Sequence, residues 1–87
     1  MNITKVNVKK VNTENRLRAI ASIVIDDCFA VNEIKVLESE KGLFIGMPSW
    51  KDKEGKFKDI AHPINAETRA EIQNAILNEY ERIDNEG

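Results

Sequence analysis

KFKDIAHPIN, residues 56–65, reads as a short strand that stops at a proline and hands over to a helix cap. Phe57 and the Ile60/Ala61 pair are apolar, with Lys56, Lys58 and Asp59 between and before them. Pro63 has no backbone N–H to give to a sheet ladder and biases His62 towards an extended conformation. Asn65 is a strong helix N-cap, and Glu67 follows in the first turn, where a carboxylate favours the helix dipole. A connection so closely specified fixes the angle between a sheet and a C-terminal helix.

Working outward, the helix is expected over about residues 66–83. Ile72, Ala75, Ile76, Tyr80 and Ile83 recur at i, i+3 and i+4 and form one apolar stripe, which Leu77 widens or turns towards a partner. Upstream, residues 3–11 alternate, with Val6 and Val8 on one face and Lys5, Asn7 and Lys9 on the other. Asn12 to Asn15 supply turn residues, so a hairpin leads into a second strand at 17–25. There Leu17, Ala19, Ala21, Ile23 and Ile25 share one face while Ile20 and Val24 take the other, as in a central strand apolar on both sides. Asp26-Asp27 makes a tight turn into a third strand, about residues 28–37. Val31, Ile34 and Val36 do not keep one parity, which predicts a bulge near Asn32-Glu33.

After a turn at Ser39–Gly42, Leu43 to Met47 is a short apolar strand ended by Pro48. Gly46 inside it indicates close approach by a backbone or a ring. Trp50 to Gly55, WKDKEG, reads as a polar loop, and residues 56–61 as a fifth strand. The expected fold is α+β: an antiparallel sheet of four or five strands with one long C-terminal helix on one face. The chain is one domain, residues 1–84, with a frayed tail at 85–87.

Composition narrows the function classes. Charged residues make up 32% and apolar ones 41% of 87 positions, and no run reaches the roughly 18 apolar residues of a membrane span. The first residues lack a signal-peptide core, and the lone Cys28 admits no internal disulfide and fits a reducing, cytoplasmic setting. Cys28 reads as a small buried hydrophobe, His62 as a residue bonding its own turn, and Asp26-Asp27 as turn formers. No zinc-ligand spacing, phosphate loop or dinucleotide fingerprint is present. The expectation is a non-enzyme with no cofactor, metal, membrane or small-molecule partner.

Net charge is −2, but it is unevenly spread: residues 1–18 sum to +4 and residues 65–87 to −4. Lys5, Lys9, Lys10, Arg16 and Arg18 belong to the first hairpin. Lys51, Lys53, Lys56 and Lys58 form a second basic cluster, next to Trp50, whose ring suits stacking on an unpaired base. A small sheet also leaves an edge strand to cover, and a second copy would cover it while doubling the basic surface.

Four separated blocks carry a further reading: RLRAIASI at 16–23, GLFIGMPS at 42–49, FKDIAHPIN at 57–65, and the spacing of Arg69, Ile72, Leu77, Glu79 and Tyr80. Together they resemble the stage V sporulation protein G (SpoVG) family over about residues 3–82. The resemblance implies a small cytoplasmic bacterial homodimer that binds DNA site-selectively, and in some members RNA, and influences septation, sporulation, cell division and transcription. It places binding around the loop after the MPS motif and at the helix start, hence at Lys51 and Arg69 first, then Lys53, Lys56, Lys58 and Trp50. Two positions depart from the pattern. Trp50 stands where a basic residue often follows, and Glu71 where a second helix-start base is frequent, so a phosphate there meets a like charge. The alternative is a protein–protein adaptor of the division or transcription machinery, with the acidic helix as its contact surface.

Overall fold

The computed structural model describes residues 2–11 and 15–85. Strands β1 (Ile3–Lys10), β2 (Leu17–Ile25), β3 (Phe29–Ser39) and β4 (Gly42–Gly46) form an antiparallel meander in chain order. A separate hairpin follows, β5 (Ser49–Lys51) with β6 (Phe57–Asp59), and then helix α1 (Ala66–Asn85). The four-strand form of the expected sheet is the one adopted. The segment expected as a fifth sheet strand pairs instead with β5, inside the stretch read as a polar loop.

Alternation decides which side chains meet the helix. Val6, Val8 and Lys10 of β1 lie opposite Ile23, Ala21 and Ala19 of β2, which lie opposite Val31, Ile34 and Val36 of β3. Between Val31 and Ile34 the register slips, and Glu33 takes a left-handed φ of 63°. That bulge, expected from the broken parity, returns Ile34 and Val36 to the face of Val31. Asp26 and Asp27 both have positive φ, 52° and 57°, as a two-residue hairpin turn of matching twist requires. Asn2 secures this turn: its N–H donates to Asp26 Oδ1 at 2.9 Å and its carbonyl accepts from the Asp26 N–H at 2.8 Å. Cys28, at the exit of that turn, is exposed rather than buried, because the side chain stands at the sheet's end beyond the helix's cover.

The core is the single layer between sheet and helix: Ala19, Ala21, Ile23, Ile34, Val36, Ile45, Met47, Ile72 and Ile76. Helix residues Ile72 and Ile76 are buried in this cluster with Ala19 and Ala21 of β2, and Leu77 and Tyr80 pack at the margin. Asn65 caps as expected, its Oδ1 accepting the Thr68 N–H at 2.7 Å. Arg69 near the start of α1 reaches β4, and Asp84 at the far end bonds Lys10 of β1 at 2.5 Å, so the helix crosses the sheet diagonally. Asn85 completes the helix; Glu86 and Gly87 lie outside the described residues, as do Asn12 to Glu14 of the first turn.

Ile76 is fully buried. Ile76→Ala is expected to destabilise the domain by about 2–5 kcal/mol, read as a lower urea midpoint at unchanged m-value. The Lys10–Asp84 hydrogen bond raises the Lys10 pKa above the ordinary lysine value. A raised pKa means that the contribution is complete below the ordinary lysine range and is lost as pH climbs through the raised value. Lys10→Gln is therefore expected to speed amide exchange in the last helical turn at neutral pH while leaving β2 and β3 protected.

Candidate nucleic-acid interface

The hairpin β5–β6 displays most of the expected binding residues, and its loop is held by one side chain. Asp52 Oδ1 accepts the N–H groups of Glu54 and Lys56, both at 2.9 Å, and the Asp52 N–H donates to the Lys56 carbonyl at 2.9 Å. Gly55 takes φ 85°, where a Cβ would be strained. Beyond β6 the Ile60 N–H donates to the Pro48 carbonyl at 2.7 Å and closes the base of the hairpin.

Pairing within this ribbon sorts the candidates onto two faces. Trp50 lies opposite Lys58, and Lys56 shares their parity. Ser49 lies opposite Asp59 and Lys51 opposite Phe57 on the other face, with Lys51 Nζ 5.9 Å from the Phe57 ring centroid. Lys53 sits at the loop tip. Lys58 Nζ is 3.9 Å from Asp52 Oδ2, a loose pair. The face of Ser49, Phe57 and Asp59 lines a groove of about 420 Å³ against β4, with Lys35, Leu37, Phe44, Gly46 and Arg69 on its other sides. Lys51, stacked towards Phe57, stands at its rim.

Arg69 lies in the first turn of α1, where the helix dipole disfavours a cation. A long hydrogen bond from its Nη2 to the Ile45 carbonyl, 3.4 Å, holds it over β4. Of the expected residues Arg69 alone lines the groove, Lys51 lies beside it over Phe57, and Trp50, Lys56 and Lys58 take the opposite face of the hairpin. Glu71, two residues after Arg69, is exposed and forms no ion pair among the described residues.

The basic first hairpin is less cationic in space than in sequence. Lys10 bonds Asp84, and Arg18 Nε bonds Glu38 Oε2 at 2.5 Å while its Nη1 donates to the Asn15 carbonyl. Lys5 and Lys9 are exposed and have parity opposite to Val6 and Val8. A recess of about 510 Å³ between β1, β2, the β3 bulge and the end of α1 is lined by Lys9 and by Arg82, which is bonded to Glu79. That bond holds the Glu79 carboxyl below its ordinary range.

Lys35, Phe44 and Phe57 were not singled out as binding residues by the sequence. The available signal was the opposite parity of Phe44 to Leu43 and Ile45, which places its ring away from the helix. His62 is exposed and its Nδ1 lies 3.0 Å from the Pro63 carbonyl, a local turn contact. No helix among the described residues is long and apolar enough to cross a membrane.

Comparison with known proteins places these features in a family. The SpoVG family model matches residues 1–82. A relative from Clostridium kluyveri is 55% identical over 86 residues, covering 99% of this chain and 90% of its own length. One from Phytoplasma australiense is 53% identical over 83 residues, covering 95% and 86% respectively. One from Acetivibrio thermocellus is 54% identical over 83 residues, covering 95% and 88%. All three carry names that describe them as SpoVG septation proteins. With the family model matched over nearly the whole length and relatives this similar, the chain belongs to the SpoVG family.

Proposed function

We propose that the protein is a homodimeric, site-selective nucleic-acid-binding regulator that acts in the cytoplasm on septation, sporulation and gene expression. The septation role is carried by the names of its relatives. The binding role is supported by one observation above others: Lys35 and Arg69, which lie far apart in sequence on different elements, line one groove, and Lys51 lies beside it over the Phe57 ring. Three cations around one groove oppose the chain's overall negative charge, and phosphate backbones are the polyanions that such a surface neutralises. Lys53, Lys56, Lys58 and Trp50 extend this basic surface around the hairpin, where an elongated ligand would follow them.

Dimerisation is supported by the apolar surface at the other end of the linker. Phe29 is 62%, Ile60 67% and Ile64 89% exposed, around a recess of about 170 Å³ lined by Ile25, Val31, Ala61 and Pro63. Three large apolar side chains present an area on the order of a few hundred Å², at the upper end of what monomers leave exposed. A twofold contact here would bury that patch and set two basic grooves in one particle, so that each raises the effective concentration of the other's ligand.

The double variant Lys51→Glu/Arg69→Glu is expected to lose about tenfold or more in affinity for duplex DNA at physiological salt, and its log–log salt slope to flatten by about two, near −0.9 per phosphate contact removed. Unchanged affinity in a folded variant would remove these two residues from the interface. For the dimer, light scattering should give the wild type about twice the 9.9 kDa chain mass and Ile60→Glu/Ile64→Glu the mass of one chain. A variant that stays dimeric would move the interface elsewhere.

A further inference from the structure

The groove beside β4 contains more than cations. Phe44 stands on the open face of β4 and is 37% exposed, and Phe57 stands on the hairpin wall and is 71% exposed. Neither ring belongs to the core. Between them, Gly46 leaves the floor low: a Cβ there would come within 3.2 Å of Leu37 Cδ1 and would stand up into the groove. Lys35 and Arg69 line the same space, Lys51 lies over the Phe57 ring, and Asp59 is the one acid on the lining.

Each ligand class makes a different demand on such a site. An apolar peptide would leave Lys35 and Arg69 without anionic partners. A duplex presents phosphates but keeps its base faces stacked inside, so the two exposed rings would have nothing to meet. An unpaired strand offers both: a π-face for each ring and a phosphate on either side of the base. The volume, about 420 Å³, lies within the roughly 300–1,000 Å³ of sites that enclose small ligands.

We propose that this groove is a base-stacking site for single-stranded nucleic acid, with an unpaired base held against Phe44 and Phe57 over Gly46 and the flanking phosphates met by Lys35, Lys51 and Arg69. The inference rests on the nucleic-acid reading above and adds its strand preference and its aromatic residues. Stacking reads the base face and leaves the sugar unread, so DNA and RNA single strands are equivalent ligands. Trp50, the aromatic that the sequence offered for this task, lies on the opposite face of the hairpin. It would serve a strand only after that strand left the groove.

The test uses the intact protein and four labelled probes of equal length: oligo-dT, oligo-U, an abasic deoxyribose-phosphate oligomer of the same charge, and a duplex. Anisotropy titrations at fixed salt compare wild type with Phe44→Ala/Phe57→Ala, checked for folding by thermal melting. One stacked base is worth roughly five- to a hundredfold in affinity. Wild type is expected to bind oligo-dT and oligo-U about tenfold or more tighter than the abasic strand, and the double variant to lose that margin while its duplex affinity changes less than about threefold. Equal wild-type binding of oligo-dT and the abasic strand overturns the stacking site while leaving the charge-based reading standing, and needs no variant. A folded variant that keeps the margin also overturns it. Wild type that binds none of the four probes overturns both readings.

Discussion

One apolar layer between a single helix and a single sheet sets the geometry of this protein. Ile72 and Ile76 of the helix share one buried cluster with Ala19, Ala21, Ile23, Ile34, Val36 and Ile45 of the sheet. No second layer covers the sheet from the other side within the described chain, so this one interface carries most of the apolar burial. At about 1.5–3 kcal/mol for each fully buried isoleucine, the buried set weighs heavily against the few kcal/mol by which a small domain exceeds its unfolded chain. The helix approaches β1 most closely and β4 next, and the alternation of β2 keeps Ala19, Ala21 and Ile23 on the buried face.

That contact has consequences at both ends of the helix. A rigid twenty-residue helix centred on Ile76 must bring its start near β4 and its end near β1. Asp84 meets Lys10 at one end, and Arg69 meets the Ile45 carbonyl at the other. The linker that enters the helix is short and pinned by the Ile60–Pro48 hydrogen bond, so the hairpin β5–β6 is held beside β4 and cannot swing far from it. The groove is the space left between these fixed parts. Its cations come from β3 and α1, with Lys51 of β5 beside them over Phe57, which explains why no single stretch of sequence contains them.

Much of the scaffold could be read from residues alone. Broken parity at Val31, Ile34 and Val36 announced the bulge that Glu33 makes with its positive φ. Asn65 and the i, i+3, i+4 stripe announced the helix to within two residues of its end. The hairpin β5–β6 was missed because three-residue strands leave no room for alternation, and WKDKEG carries the charges and glycine of a loop. Burial of Cys28 was misjudged because residue type says nothing about how far the helix reaches along the sheet. The site was half legible. Lys51 and Arg69 are expected from family resemblance alone, whereas Phe57 reads as an ordinary apolar strand residue until β6 is seen to lie outside the main sheet. The charge asymmetry of the sequence likewise weakens in space, because two of the first hairpin's cations, Lys10 and Arg18, are bonded to Asp84 and Glu38.

The central claim is that nucleic acid enters between β4 and the hairpin, and a titration followed by backbone amide resonances tests it most directly. Adding a short single strand to isotope-labelled protein should shift Lys35, Phe44 to Met47, Ser49 to Lys51, Phe57 to Asp59 and Arg69, in fast or intermediate exchange, while the outer face of the helix stays still. Shifts confined to Lys5 and Lys9 of the first hairpin, or to the exposed helix side around Asn74, Asn78 and Glu81, would contradict the account.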